Sequence, residues 1–278
     1  MQKTGVKEDL EALEHRLLLE GVFQCYGYDF RNYAQASLRR RIRGRMGPEG
    51  VATVSDLLAK VLHDPECMER LLLALTIHVP SMFRDPGFYR AFREKVVPVL
   101  RTYPFTRIWH AGCSSGEEVY SMAILLEEEG LLSRCRIYAT DMSEAVLRVA
   151  KAGVFPLAGM QGNTANYIRA GGTRSFSEYY TAQHDLALFR PSLRETMVFA
   201  EHNLVTDGSF NEFHAILCRN VTIYFDRTLQ ERVHRLFYDS LCPLGVLALG
   251  RMESLRFTPA ETRYEAVDAG EQIHRKVR

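Results

Sequence analysis

The chain has 278 residues, with 35 Lys and Arg against 34 Asp and Glu and a formal net charge of +1. That balance removes any global pull toward nucleic acid or an anionic membrane surface, and the length admits one medium domain beside a smaller one. The six cysteines show no metal-ligand spacing and no paired framework, which predicts reduced thiols and a cytoplasmic setting; no apolar run reaches transmembrane length, and MQKTGVKEDLEAL does not read as a signal peptide.

The N-terminal part reads as helices. Leu10, Leu13 and Leu17 recur at helical spacing, and a second helix is predicted over Tyr33–Met46 with Leu38, Ile42 and Met46 on one stripe. Gly47, Pro48 and Gly50 mark a turn, Ser55 is the expected cap of a third helix, and Pro65 opens a fourth. This predicts a small helical domain over residues 1–80, joined through Thr76–Pro86 to a second domain over 81–278. The second helix carries Arg39, Arg40, Arg41, Arg43 and Arg45. By itself such a run reads as a solvated face, and without interleaved aromatics it does not indicate nucleic acid.

From Ile108 onward the pattern changes to strands alternating with helices. The strand stub Ile108–Trp109 runs into the small-residue turn Ala111–Gly116, which opens directly into an amphipathic helix. Small residues there let the backbone approach a ligand closely, and the helix start offers unpaired N–H groups. Glu117 and Glu118 occupy the first helical turn, where a phosphate site would carry no acid. Acids suit instead a ligand with hydroxyls or positive charge, and S-adenosylmethionine has both.

The next strand, RIYATD, ends in Asp141 roughly 20 residues after the loop, where nucleoside-binding folds place a carboxylate for a ribose diol. Ser143 is the expected cap of the helix that follows, and Gly153 its stop. A third strand covers Val198–Leu204 and reaches Asn203; a fourth lies within Phe213–Asp226 and is interrupted by Arg219 and Asn220. A helix from Arg227 and a closing strand VLALG complete the pattern. The alternation predicts a doubly wound α/β sheet that is mostly parallel, with Gly112, Asp141, Asn203 and Arg219 at strand ends. Between the second helix and the third strand, Phe155–Met197 is too long for a simple connection and contains two β-prone runs, SFSEYYTAQ and DLALFRP.

The stretches GCSSGEEVYSMAI, ATDMSEAVLRVAKAGVF, HNL and ILCRNVTIYFD, with MFRDPGFY and LGRMESL, resemble the CheR family of chemotaxis receptor methyltransferases. The resemblance runs from about Phe30 to Phe257. It implies a Rossmann-like class I methyltransferase sheet, a small N-terminal helical domain and a small antiparallel β subdomain inserted at about 155–197. It further implies that S-adenosylmethionine, without a metal, is used to methylate glutamate side chains on the cytoplasmic helical bundle of chemoreceptors. The basic helix would then face that acidic bundle. The inserted subdomain either binds a receptor tail peptide by strand addition, as in some members, or is a hairpin that shields the sheet.

By the same resemblance Asp141 accepts the ribose diol, and Glu118, with Glu117 beside it, lines the amino-acid end of the cofactor. Gly112 permits close backbone approach, Asn203 and Leu204 border the adenine, and Arg219 and Asn220 hold the cofactor from the fourth strand. Arg84 reaches the cofactor near the reacting methyl, and Tyr224 orients the incoming carboxylate. His110 and His202 flank strand ends and receive no role. His78 and Pro80 stand where the family has asparagine and threonine, and Arg251 and Met252 where it has histidine and serine. Proline offers neither hydroxyl nor N–H, so weaker cofactor binding is expected. Two alternatives stay open: a cofactor-binding signalling module of the same fold without turnover, and a methyltransferase with a small-molecule acceptor.

Overall fold

A computed structural model describes residues 3–76, 81–256 and 258–277; His78 and Pro80 lie outside the described residues. The chain divides into two compact units, residues 1–78 with 224–230, and residues 79–223 with 231–278. The segment Tyr224–Gln230, expected in the second domain, thus groups with the helical one.

The first unit is built from α1 (Lys3–Tyr26), α2 (Gln35–Glu49), α3 (Val54–His63) and α4 (Pro65–Leu75). Its core gathers Leu18, Leu19 and Val22 of α1, Leu38 and Ile42 of α2, Leu57 and Val61 of α3, and Leu71 and Leu72 of α4. The Leu10, Leu13 and Leu17 stripe is not part of it: these side chains are exposed. Helix α2 runs through Gly47 and Pro48 and stops at Gly50, whose φ of 70° is the left-handed geometry that lets its N–H reach Gly47 O while Val51 N reaches Met46 O. The cap of α3 is Thr53, in a reciprocal capping box with Asp56, whereas Ser55 Oγ donates to Glu14 at 2.6 Å. Asp64 caps α4, accepting from Glu66 N and Cys67 N, with Pro65 in the first turn.

In the second unit α5 (Pro86–Ala91), a π-helical turn (Phe92–Val96) and α6 (Val97–Leu100) precede β1 (Thr106–Ala111). Then come α7 (Glu117–Glu128), β2 (Cys135–Asp141) and α8 (Glu144–Ala152). The inserted segment holds β3 (Val154–Pro156), α9 (Met160–Arg169), β4 (Tyr180–Gln183), β5 (Leu186–Phe189) and α10 (Pro191–Arg194). After it run β6 (Met197–Glu201), β7 (Phe213–Cys218), α11 (Arg227–Ser240), β8 (Leu241–Leu249), β9 (Tyr264–Asp268) and β10 (Ile273–Lys276).

The main sheet has the order β6-β2-β1-β7-β8-β10-β9, parallel from β6 to β8 and antiparallel at β10 and β9. The expected doubly wound α/β sheet is therefore present, and its order reverses between β1 and β7, the switch point where ligands bind beyond the strand ends. Helix α7 is apolar almost all round, with every residue from Val119 to Leu126 buried. Trp109, on the face of β1 opposite Ile108, is enclosed by His202, Phe210, Phe213 and Phe237 and donates to Thr140 Oγ1 at 2.8 Å.

The inserted segment forms a separate antiparallel sheet of order β3-β5-β4, so the subdomain matches the expectation, with α9 as an addition the sequence did not signal. Its rings Phe155, Tyr167, Phe176 and Phe189 interlock with Phe83 and Tyr120. A buried carboxylate, Glu128, ties it to α7 by accepting from Tyr167 Oη, Tyr179 Oη and Thr173 N, and pairs with Arg93.

Candidate active site

The carboxyl ends of β6, β2, β1 and β7 lie in line. Ala111 registers with Thr140, Asp141 with Glu201, and His110 with Leu217. The turn after β1 folds back on β2, because Gly112 N and Cys113 N both donate to Thr140 O at 2.9 Å. Gly112 has φ 77°, and a Cβ there would meet Val221 Cγ2 at 2.6 Å, so any side chain would drive the turn away from the loop after β7. Asp141 locks the arrangement: its Oδ2 accepts from Ser114 N at 2.9 Å and its Oδ1 from Ser143 N at 3.1 Å. The N-terminal end of α8 is thus served by Asp141, and Ser143, at the cap position, makes no side-chain cap bond.

Glu118 is the centre of a charged chain. Its Oε1 lies 3.1 Å from His110 Nδ1 and its Oε2 accepts from Arg219 at 2.8 Å. Arg219 also pairs with Asp85 Oδ2 at 2.7 Å and lies over the Phe88 ring. Burial pushes the Glu118 carboxyl upward, but Arg219 and His110 outweigh it and leave the group below the ordinary carboxylate range. Glu118 is therefore ionised at neutral pH, with a quarter of its side chain exposed. Arg219, whose side chain is 1% exposed, is held by Glu118 and Asp85, and its Nε is buried with no hydrogen-bond partner among the described residues. Glu117 hydrogen-bonds Ser115 Oγ at 2.8 Å, and burial raises its carboxyl. Burial, with Asp141 nearby, also pushes the Cys113 thiol far up, so it is no nucleophile at neutral pH.

The loop carrying Arg84 is strained and braced. Phe83 and Asp85 have φ of 52° and 56°, uncommon for residues with side chains. Phe83 N donates to Ser121 Oγ at 2.9 Å and Met82 N to Asn163 Oδ1 at 3.1 Å, while the Arg84 side chain is exposed. Asn203 forms a turn in which its Oδ1 accepts from Val205 N, and Leu204 is buried. Asn220 has φ 62°.

Besides His110, Asp85 and Glu253 contribute to this end of the sheet. Asp85 anchors Arg219, and only its place beside Arg84 in MFRDPGFY pointed to it. Glu253, 4% exposed, gathers the loop after β7: it accepts from Gly250 N, Asn220 N, Val221 N and Thr222 Oγ1. Its signal was the acid in LGRMESL. Arg251, beside it, pairs with Glu271 at the surface, and Met252 is exposed.

Tyr224 belongs to the first unit, where Arg41 lies 4.8 Å over its ring and Ala34 N donates to Tyr224 O. The five arginines of α2 separate in role. Arg41 donates to Leu75 O, and Arg45 pairs with buried Glu49, which also takes Lys60 and Arg70. Arg39, Arg40 and Arg43 are exposed, Arg43 pairing with Glu11.

A helical unit followed by a doubly wound sheet with an acid-lined switch point and an inserted antiparallel sheet defines a class I methyltransferase fold. The family description "CheR methyltransferase, all-alpha domain" matches residues 14–76, and "CheR methyltransferase, SAM binding domain" matches residues 78–271. The chain belongs to the CheR methyltransferase family. It is similar to the protein Cher3 of Pseudomonas putida (strain KT2440), 49% identical over 264 residues that cover 95% of this chain and 97% of that one. It is also similar to the chemotaxis protein methyltransferases of Listeria monocytogenes and Listeria innocua, at 30% and 29% identity, each covering 84% of this chain and 87% of the relative.

Proposed function

We propose that this chain methylates glutamate side-chain carboxylates of chemoreceptors in the cytoplasm, with S-adenosylmethionine as the methyl donor. The observation that carries the reading is the ionised, quarter-exposed Glu118 at the switch point, held between His110 and Arg219. With Glu117, Asp85 and Asp141 it makes the strand-end edge rich in acids, which fits a ligand bearing an ammonium, a sulfonium and a ribose diol and disfavours a phosphate.

Glu118 would take the amino-acid end, Asp141 the ribose hydroxyls, and Asn203 and Leu204 the adenine. Gly112 keeps the backbone close, Asn220 sits on the loop braced by Glu253, and Arg84 is the side chain of its loop free to reach the reacting end. When bound, the cofactor supplies an electrophilic methyl group. A glutamate acceptor, with a pKa of about 4.3, is already ionised at neutral pH and needs no protein base. The protein's task is then to align the acceptor and exclude water, because in-line approach in a dry site lowers the barrier to a step that neutralises charge. Tyr224 would orient the acceptor carboxylate through its hydroxyl.

Relatives named chemotaxis protein methyltransferases support receptors as the substrate class. Arg39, Arg40 and Arg43 are the charges of α2 available to an acidic helical bundle, where complementarity sets encounter rate and orientation. β4, at an edge of the small sheet and exposed over Thr181–Gln183, offers a place for strand addition by a receptor tail. Incubation with tritiated S-adenosylmethionine and receptor fragments tests the reading. Base-labile methyl ester on receptor glutamates is expected; cofactor binding without transfer, or transfer only to a small molecule, would overturn it.

A further inference from the structure

We propose that His110 is a positioning residue that aims the Glu118 carboxylate at the ammonium of the bound cofactor and so sets how strongly that ammonium is recognised. The inference rests on the reading that this edge binds S-adenosylmethionine.

His110 sits on the central strand β1, in register with Ala139 and Leu217, and is 1% exposed. Ile108, two residues earlier on the same face, is fully buried. An aliphatic residue would fill such a site without a polar penalty, whereas burying an imidazole costs free energy unless its ring finds a hydrogen bond. Its Nδ1 lies 3.1 Å from Glu118 Oε1. An ionised carboxylate only accepts, so Nδ1 carries the hydrogen. Nε2 is buried and has no hydrogen-bond partner among the described residues. Among the described residues, the one polar bond of this ring is therefore the bond to Glu118.

Arg219 holds the other oxygen, and Asp85 in turn holds Arg219. Glu118 is thus fixed at both oxygens by two side chains that are each 1% exposed. A carboxylate has about four acceptor directions, so about two remain, on a side chain that is 25% exposed. A pinned carboxylate with open lone pairs recognises a cation without first losing rotamer freedom.

The test is calorimetric titration of the full chain with S-adenosylhomocysteine and with its analogue lacking the α-amino group. The wild type is expected to favour the amino compound by about tenfold or more, the range of a charged hydrogen bond. In His110→Gln the amide reaches the Nε2 position instead of Nδ1, and the preference should fall to about threefold or less. In His110→Asn the amide nitrogen replaces Nδ1, and the preference should return to within about threefold of wild type. Thermal unfolding without ligand confirms that each variant folds; if His110→Gln does not, the ratio in His110→Ala decides in the same way.

A purely structural histidine would weaken both ligands together and leave the ratio unchanged, which overturns the proposal. If Glu118→Gln abolishes the preference while His110→Gln keeps it, the positioning role is wrong and the cofactor reading stands. If the wild type binds neither compound, both fall.

Discussion

Asp141 and Ser114 are joined by a 2.9 Å hydrogen bond from the serine amide to Oδ2, which ties the end of β2 to the turn after β1. The other oxygen accepts from Ser143 N, so one carboxylate organises two loops of the candidate site. Asp141→Ala should therefore weaken S-adenosylhomocysteine binding by roughly 1.5–3 kcal/mol and also lower the melting temperature. Asp141→Asn, which keeps one acceptor oxygen, should recover part of both. Calorimetry beside thermal unfolding measures the two effects; unchanged affinity in folded Asp141→Ala would remove the residue from the cofactor.

Tyr224→Phe should leave cofactor affinity within about threefold and reduce methyl transfer to receptor more strongly, since the ring that Arg41 covers is kept and only the hydroxyl is lost. Single-turnover transfer at saturating cofactor reads this directly. Equal rates would make Tyr224 a packing residue.

The division of the α2 arginines predicts two kinds of mutant. Neutralising exposed Arg39, Arg40 and Arg43 together should slow receptor methylation at low salt and spare cofactor binding. The difference from wild type should shrink as salt screens the attraction. Arg45→Ala, by contrast, should lower the stability of the helical unit because Glu49 stays buried beside one fewer cation. Salt-dependent methylation rates and melting curves separate the pair.

Glu49 also predicts a pH response. Hydrogen bonds from Arg70, Lys60 and Arg45 hold its carboxyl far below the ordinary range. A depressed folded-state pKa contributes stability that is fully present above the unfolded value of about 4.3 and is lost as pH falls below it toward the folded value. Melting temperature should therefore fall on acidification below about pH 4 in the wild type. Glu49→Gln should be less stable at neutral pH and show a shallower acid slope. Identical slopes in the two proteins would contradict the linkage.

Pro80→Thr should raise cofactor affinity by about 0.5–1.5 kcal/mol, the worth of one neutral hydrogen bond, if the family threonine contact is what this chain lacks. His78→Ala measured beside it shows whether the imidazole compensates. Tight wild-type binding indifferent to both changes would mean that this segment does not touch the cofactor.

Local chemistry made much of the second unit legible. The alternation of strands and helices, the small-residue turn at Gly112 and the acid ending β2 obey short-range rules of periodicity and backbone conformation, which one stretch of chain carries by itself. The same holds for Pro65, Gly50 and Gly153 as punctuation of helices. Pairing across long sequence separation is different, because it depends on which side chains the fold brings together. Only the folded chain placed Arg219 behind Glu118, gave His110 its carboxylate, set Glu253 under the loop after β7, and divided five adjacent arginines into surface charges and internal partners. It also turned Leu10, Leu13 and Leu17 outward and Leu18, Leu19 and Val22 inward, since a helical stripe shows that a face is apolar and tertiary packing decides which face is covered.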